Sequence, residues 1–429
     1  MVGPRIVLVV SCALAPVCGA HAQDPTPPNS RAITVAEAVE EALQHNLALM
    51  AERSNLSIAD ASMVAARLRP NPVVSVSADH LDWLGTGFNE INNGGPPEIA
   101  ARVDVPFERG RKREARIDVA SFLVSAAQAQ FAEAVRALRG DVTQAAVDVI
   151  AAKATRDLVA DNLRAFEELA RVNQARATAG SIAPFESTRA QVAMLQFRST
   201  MVRADLDLAT AQSRLRTLIG RSPAEPLELA TGLSGGTAGP MPELAEVQRL
   251  ALTTRPDLRA LELSQARSLA DLRLQEALGK VDYTIGAEYR RQQGIAGTSN
   301  SVGVFFSAPL PISNRNQGEI ARAGAEGQQA ARQIAARRAQ IGADVQSAYH
   351  EYVETRGLVL GMERDLLQPA TSVRDIAAYT YRTGGSTLLE LLDAQRAFTD
   401  TMQSYVEAQA SLRRAVARLN TAVATEVVQ

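Results

Sequence analysis

The 429-residue sequence predicts a mainly α-helical fold in which one unit occurs twice: a helix, a β-hairpin and a long coiled-coil helix. Three observations predict this fold. Features of the first half recur in the same order about 205 residues later, segments with period two resemble β-strands, and two long stretches are almost free of helix breakers. Aromatic residues make up only 4% of the chain, which suits helices packed lengthwise better than a compact core.

The first 22 residues have the pattern of a secretory signal peptide. Arg5 precedes an apolar run over residues 6–17, and Ala20-His21-Ala22 forms a small-x-small cleavage site. A lipid anchor on Cys18 is the alternative, although the residue before it is a poor match to a lipidation site. Cleavage after Ala22 would remove both cysteines, so we expect an exported chain without disulfides or thiolate metal sites.

Composition excludes several classes of protein. The formal net charge of −2 gives no electrostatic reason to expect a nucleic-acid partner. No catalytic triad, phosphate-binding loop or metal-ligand spacing is present, so we expect no enzyme activity, no cofactor and no metal site. The basic run 109–113 is expected at a strand-to-helix shoulder, near lipid headgroups or an acidic neighbour.

The internal repeat appears when the sequence is shifted against itself. A shift of 209 residues places Val76 on Ile285, and a shift of 205 places Gly180 on Gly385. The order of such matches persists through both halves, which favours duplication of one structural unit over chance.

The repeat and the breaker residues give the predicted boundaries. The chain divides into a signal peptide (1–22), a first repeat (23–220), a linker (221–242) and a second repeat (243–429). Each repeat opens with one helix, over 35–69 and 244–279. The predicted strands are 73–83 and 99–107 in the first repeat, and 281–289 and 301–310 in the second. The predicted long helices are 111–178, 186–219, 318–383 and 388–423, with Pro369 as a kink or junction.

The first long helix is the most unusual predicted element. No proline interrupts the chain between Pro106 and Pro184, and a helix over 111–178 would be about 100 Å long. Its apolar residues follow alternating steps of three and four, interrupted only by Arg156, which indicates packing along a coiled-coil seam. That seam comprises Val135, Leu138, Val142, Ala145, Val149, Ala152, Val159, Leu163, Phe166 and Ala170.

The four strands have the length and the alternation of half-exposed sheet. One face is apolar, and it would meet either lipid or a protein core. No window after residue 23 has 18 consecutive apolar residues, so any membrane crossing would need strands in a closed barrel. Four strands cannot close one, since about eight is the minimum, and three chains would supply twelve.

Three segments carry a family resemblance. They are Arg69–Pro72, Val105–Arg113 with the sequence VPFERGRKR, and Leu310–Ile320 with the sequence LPISNRNQGEI. On these segments the chain resembles the TolC family of outer-membrane efflux proteins, and within it the CzcC-like branch of heavy-metal RND efflux. Arg111 is a departure, because the branch has glycine at that position.

The resemblance implies a homotrimer in the outer membrane of a Gram-negative bacterium. A twelve-stranded β-barrel would cross the membrane and continue as a periplasmic α-helical barrel. The implied partners are a periplasmic adaptor (membrane fusion) protein, an inner-membrane RND transporter and outer-membrane lipid. The implied function is passive exit of heavy-metal cations. The alternatives are a channel for organic compounds or for type I secretion, and a periplasmic coiled-coil adaptor without a pore.

The resemblance also places a constriction at the helical tips. The turns expected there contain Gly180, Gly384 and Gly385. Acids just past the turns are candidates for a gate that favours cations: Glu186, Glu390 and Asp393. The alternative is that these carboxylates are solvated acids that oppose the dipoles of their own helices.

Overall fold

The computed structural model describes residues 32–81, 83, 97–230, 232–233, 241–294 and 297–428. The predicted signal peptide (1–22), most of the segment between the first two predicted strands and part of the predicted linker lie outside these residues. The elements are α1 (Val35–His45), α2 (Leu47–Arg67), β1 (Val73–Asp79), β2 (Glu98–Phe107), α3 (Lys112–Thr178), α4 (Pro184–Ile219), α5 (Leu244–Thr254), α6 (Pro256–Leu278), β3 (Tyr283–Gly294), β4 (Gly297–Ser307), α7 (Gln317–Asp365), α8 (Leu367–Thr383) and α9 (Leu388–Val423).

The two hairpins join into one antiparallel sheet with the order β1-β2-β3-β4. Strand β2 of the first repeat pairs with β3 of the second, and Val105 lies opposite Ile285. Within the described residues, β1 pairs only with β2, and β4 pairs only with β3. Both outer edges of the sheet therefore keep free backbone donors and acceptors.

The described residues leave the apolar face of the sheet uncovered. Val76 is 72% exposed, Val304 is 80% exposed and Phe306 is 71% exposed. The alternation allows either lipid or a protein core against this face, and no core formed by the described residues covers these side chains.

Strand ends differ from the predicted ones for local reasons. Strand β1 ends at Asp79 rather than at residue 83, because His80 takes a left-handed conformation with φ of 57°. The second hairpin extends further towards its loop than predicted, with Gly294 opposite Gly297. Strand β4 ends at Ser307, two residues before a proline that cannot donate to a ladder.

Each repeat opens with two helices where the sequence predicts one. Helix α1 gives way to α2 at Asn46, whose Oδ1 accepts from the Leu49 N–H at 2.9 Å. Helix α5 gives way to α6 at Arg255, because the following proline disfavours a helical conformation there. Asn46 and Arg255 are 209 residues apart, so the two breaks occupy equivalent places in the repeat.

Helix α3 runs unbroken for 67 residues and packs against α2, α4, α6 and α9. Val142, Val159 and Phe166 of the predicted seam are buried. The corresponding helix of the second repeat divides at Leu366, and Pro369 lies in the first turn of α8. No helix in the described part of the chain combines the length and the apolar character that a membrane span requires.

The duplication is visible in backbone conformations that are rare. Three pairs of residues spaced 204 or 205 positions apart all have positive φ: Arg111 with Asn316, Gly180 with Gly384, and Gly220 with Ala424. The structural counterpart of Gly180 is therefore Gly384, one residue before the sequence match. Arg111 stands where the resembling branch has glycine. Its φ of 60° explains why glycine suits that position.

Candidate functional site at the helical tips

Two matching turns end the long helices. In the first, Ser181 N–H donates to the Arg176 carbonyl at 2.8 Å, and in the second Gly385 N–H donates to the Thr380 carbonyl at 2.8 Å. Both are Schellman motifs, which need a left-handed residue at the penultimate position. Gly180 (φ 76°) and Gly384 (φ 80°) meet that need, whereas Gly385 has negative φ.

The two turns lie at the same end of the molecule. A shared apolar cluster joins the α3–α4 hairpin to the α8–α9 hairpin beside them. Its buried members are Phe166, Ala170, Ala190, Ala193, Tyr381, Leu388, Leu391 and Leu392. We call this end of the molecule the helical tip.

Glu390 is engaged in capping its own helix. Its carboxylate accepts from the Thr387 N–H at 2.8 Å, and its N–H donates to the Thr387 hydroxyl at 3.3 Å. This reciprocal pair is a capping box, which stabilises the start of α9. The Glu390 side chain is nevertheless exposed, and its other carboxylate oxygen, Oε1, makes no hydrogen bond to a described residue.

Asp393 and Glu186 are placed differently. Asp393 follows Glu390 by one turn on α9 and is exposed, while Leu391 and Leu392 between them point into the apolar cluster. Glu186 lies in the first turn of α4, on the other hairpin, and is half-buried. The tip therefore presents acids from both hairpins, with two of the three on α9.

Buried polar side chains cross between the repeats just above the turns. The Tyr381 hydroxyl donates to Asn173 Oδ1 at 2.6 Å, and Gln395 Nε2 donates to Asn162 Oδ1 at 3.1 Å. The Nδ2 atoms of both asparagines are buried and have no hydrogen-bond partner among the described residues. Loss of either hydrogen bond would leave a buried asparagine with no described partner at all, which is costly, so the two bonds favour this arrangement of the hairpins.

A groove of about 690 Å³ lies beside these bridges, between α3, α8 and α9. Its walls are mainly apolar and include Phe166, Leu169, Val172 and Leu392. Arg176 and Arg382 lie at its border.

The two asparagines are not among the residues predicted from the sequence, although a signal for one of them is present. Val159, Phe166 and Asn173 are spaced by seven residues, so the seam continues through a polar position. An asparagine at such a position commonly fixes the register of a coiled coil. Near residue 160 the predicted seam includes Leu163, but the structure buries Asn162 and leaves Leu163 half-buried.

At the other end of the molecule, the second face of the sheet carries paired charges. Arg102 lies 2.8 Å from Asp104, and Arg290 lies 2.7 Å from Glu98. A side chain at Gly286 would collide with Asp104, which explains the glycine in a strand. The sheet is therefore apolar on one side and charged on the other, as in a strand wall between lipid and water.

Comparisons with known proteins agree with this architecture. The model of the family described as "Outer membrane efflux protein" matches residues 38–221 and 247–425. The cobalt-zinc-cadmium resistance protein CzcC of Cupriavidus metallidurans is 24% identical over 364 residues, which cover 85% of this chain and 83% of that protein. The nickel and cobalt resistance protein CnrC of the same organism is 27% identical and covers 71% and 68% of the two chains.

A solved structure shows the same fold. The open state of the MtrE outer membrane channel of Neisseria gonorrhoeae superposes with a TM-score of 0.74 at 17% identity, covering 95% of each chain.

The sheet has one apolar face and two unpaired edges, and long helices continue from it. This combination defines one subunit of a multichain membrane channel. The chain belongs to the outer membrane efflux protein family. Members are trimers with a helical barrel and a β-barrel portion, so the predicted fold class is confirmed. The protein resides in the outer membrane and has a periplasmic helical portion.

Proposed function

We propose that three copies of this chain form a passive exit duct that receives heavy-metal cations from an inner-membrane RND pump through a periplasmic adaptor. The observation that carries the duct is the four-stranded sheet, with its uncovered apolar face and two free edges.

The free edges are complementary between copies. Strands alternate in direction across the sheet, so β4 of one copy runs antiparallel to β1 of the next. Pairing these edges three times gives twelve strands and leaves no unpaired backbone in lipid.

The outer helices support the same assembly. Exposed apolar residues follow one side of α4, including Val192, Leu195 and Leu206, and others follow α8, including Val373 and Ile376. These helices flank the chain on opposite sides of the α3–α9 contact. A neighbouring copy would cover both stripes.

Two observations support heavy-metal cations as the cargo. The similar proteins CzcC and CnrC carry cobalt, zinc, cadmium and nickel resistance in their names. The tip also offers carboxylates from both hairpins, at Glu186, Glu390 and Asp393, and three copies would multiply these into a negatively charged entrance.

Planar-bilayer recording on the purified trimer tests the duct. We expect ohmic pores with a preference for cations, and recovery of the chain as a soluble periplasmic monomer would contradict the proposal. Cargo is tested by deleting the gene and measuring growth in zinc, cobalt, cadmium and nickel. Restored tolerance on re-expression supports metal export, whereas unchanged tolerance to all four metals contradicts it.

A further inference from the structure

An unbalanced set of basic side chains lies where the strands meet the helices. Segments 67–72, 107–116, 278–283 and 308–319 contain nine Lys and Arg residues and four Asp and Glu residues. Within the described residues, seven of the nine cations form no ion pair. We call these seven the basic belt: Arg67, Arg69, Arg109, Arg111, Arg113, Lys280 and Arg315.

Direct contacts place the four segments side by side. Arg113 Nε donates to the Arg67 carbonyl at 2.7 Å, which joins the first segment to the second. A Cβ atom at Gly110 would lie 2.5 Å from Lys280 Cδ, so the second segment touches the third. A Cβ atom at Gly279 would lie 2.8 Å from the Arg315 carbonyl, so the third touches the fourth.

Among the described residues, three of the four carboxylates of this region form ion pairs: Asp282, Glu108 and Glu319, the last with Arg322 of α7, whereas Glu114 forms none. Asp282 lies 2.7 Å from Lys112, whose side chain is almost fully buried. Glu108 lies 2.5 Å from Arg116. The pairs of Asp282 and Glu108 brace the junction internally, so Glu114 is the one carboxylate of the four segments left to balance the seven cations of the basic belt.

Aromatic rings lie next to the belt, at the same end of the apolar face. Phe107 stacks on Tyr283 with ring centroids 5.5 Å apart, and Tyr283 lies 5.9 Å from Phe306. Aromatic rings commonly mark the interface between the hydrocarbon and the headgroups. Along the molecule the order is thus an apolar face, then aromatic rings, then cations, which matches the order of layers in a bilayer.

We propose that the basic belt binds the phosphate groups of anionic phospholipids in the periplasmic leaflet of the membrane. This inference rests on the proposed duct, which sets the apolar face in lipid. Arg69, Arg109 and Lys280 are exposed and make no hydrogen bond through their side chains to other described residues, so they are free to contact a phosphate. Anionic headgroups attract such juxtamembrane cations, and the adjoining apolar surface favours a lipid over an acidic protein.

Native mass spectrometry on the full-length trimer in detergent measures this binding, with dioleoyl phosphatidylglycerol compared with dioleoyl phosphatidylcholine. The belt variant replaces exposed cations: R69Q, R109Q, R111Q and K280Q. The control variant makes the same change in charge on helices away from the sheet: R198Q, R203Q, R332Q and R396Q.

We expect the belt variant to bind phosphatidylglycerol at least about tenfold more weakly than the wild type, and the control variant to bind it normally. Phosphatidylcholine binding should be alike in all three proteins. Equal phosphatidylglycerol binding by the belt variant overturns the proposal, as does displacement of the lipid by inorganic phosphate at the same concentration.

The lipid experiment can fail separately from the duct. Pores of wild type and belt variant are recorded in bilayers of phosphatidylcholine alone. Normal pores together with unchanged lipid binding would overturn only the belt, whereas a wild type that forms no pores would overturn the duct.

Discussion

The hydroxyl of Tyr381 lies 2.6 Å from Oδ1 of Asn173, and both side chains are buried although 208 residues separate them in sequence. This hydrogen bond ties α8 of the second repeat to α3 of the first, within the helical tip. The Asn173 Nδ2 atom has no hydrogen-bond partner among the described residues, so the bond from Tyr381 is the one that holds the Asn173 side chain.

Tyr381→Phe should destabilise the protein by about 1–3 kcal/mol, since it leaves the Asn173 side chain wholly unpaired in an apolar setting. Thermal unfolding of the detergent-solubilised trimer measures the loss. Tyr379→Phe is the matched control, because Tyr379 is 62% exposed on the same helix. An equal effect of the two variants would show that the bridge contributes nothing specific.

The equivalent ends of α4 and α9 offer a reciprocal pair of variants. Gly220 and Ala424 both have left-handed conformations, with φ of 78° and 63°. Ala424→Gly should stabilise the protein by about 1 kcal/mol, because the Cβ atom disfavours this conformation. Gly220→Ala should destabilise it by more than that, because the new Cβ would also lie 2.5 Å from the His45 carbonyl. Unfolding temperatures that shift in the same direction would contradict this account.

The sequence predicts the features that depend on a segment's own residues, but not those that depend on contacts with distant residues. The length of α3 follows from the absence of proline and from the apolar seam, which are properties of its own residues. The break at Asn46 does not follow in this way, because its amide donates to the Leu218 carbonyl, 172 residues away. Likewise, the partner of the buried Asn162 is Gln395 of α9, 233 residues away. At the tip, the turns were visible as glycines, whereas the bridge between Asn173 and Tyr381 depends on packing between the repeats.

Lys112 should be critical for the junction between sheet and helices. Its Nζ donates to the Lys280 carbonyl and to Asp282, each at 2.7 Å, and the side chain is 6% exposed. Lys112→Met should lower the free energy of unfolding by about 2–3 kcal/mol. This is less than the full cost of breaking a buried ion pair, because Asp282 is partly solvated. Trimer unfolding measures this. Lys153→Met, at an exposed position of the same helix, should have little effect, and an equal loss would contradict the bracing role.

Acid should weaken the contact between α6 and α7. Burial, the largest influence, raises the pKa of Asp257, but hydrogen bonds from Arg255 and Arg337 outweigh it and lower the pKa from 3.8 to about 2. The resulting stabilisation is fully present above pH 4 and is lost as the pH falls through 2. It amounts to about 2 kcal/mol.

The difference in unfolding temperature between wild type and Asp257→Asn measures this contribution. It should shrink as the pH falls from 5 to 2, because protonation makes the two proteins alike in charge. A difference that stays constant over this range would show that Asp257 keeps its charge or contributes nothing.

The acids of the helical tip should separate into two roles. Asp393 is exposed and makes no side-chain hydrogen bond to other described residues, whereas the carboxylate of Glu390 accepts from the Thr387 N–H. Asp393→Asn should therefore reduce cation selectivity in planar bilayers with little change in unfolding temperature. Glu390→Gln can keep the capping hydrogen bond, because glutamine also serves at this position, so it isolates the loss of charge. Glu390→Ala removes charge and cap together and should cost about 1 kcal/mol besides.

Reversal potentials under a salt gradient, recorded beside the unfolding curves, distinguish these outcomes. Asp400→Asn is the control, because Asp400 is also an exposed acid of α9 but lies seven residues beyond Asp393, further from the helical tip. If Asp393→Asn and Glu390→Gln leave the reversal potential at its wild-type value, the carboxylates act only on their own helix. If Asp400→Asn shifts it as much as they do, the selectivity arises from the general charge of α9 rather than from the tip.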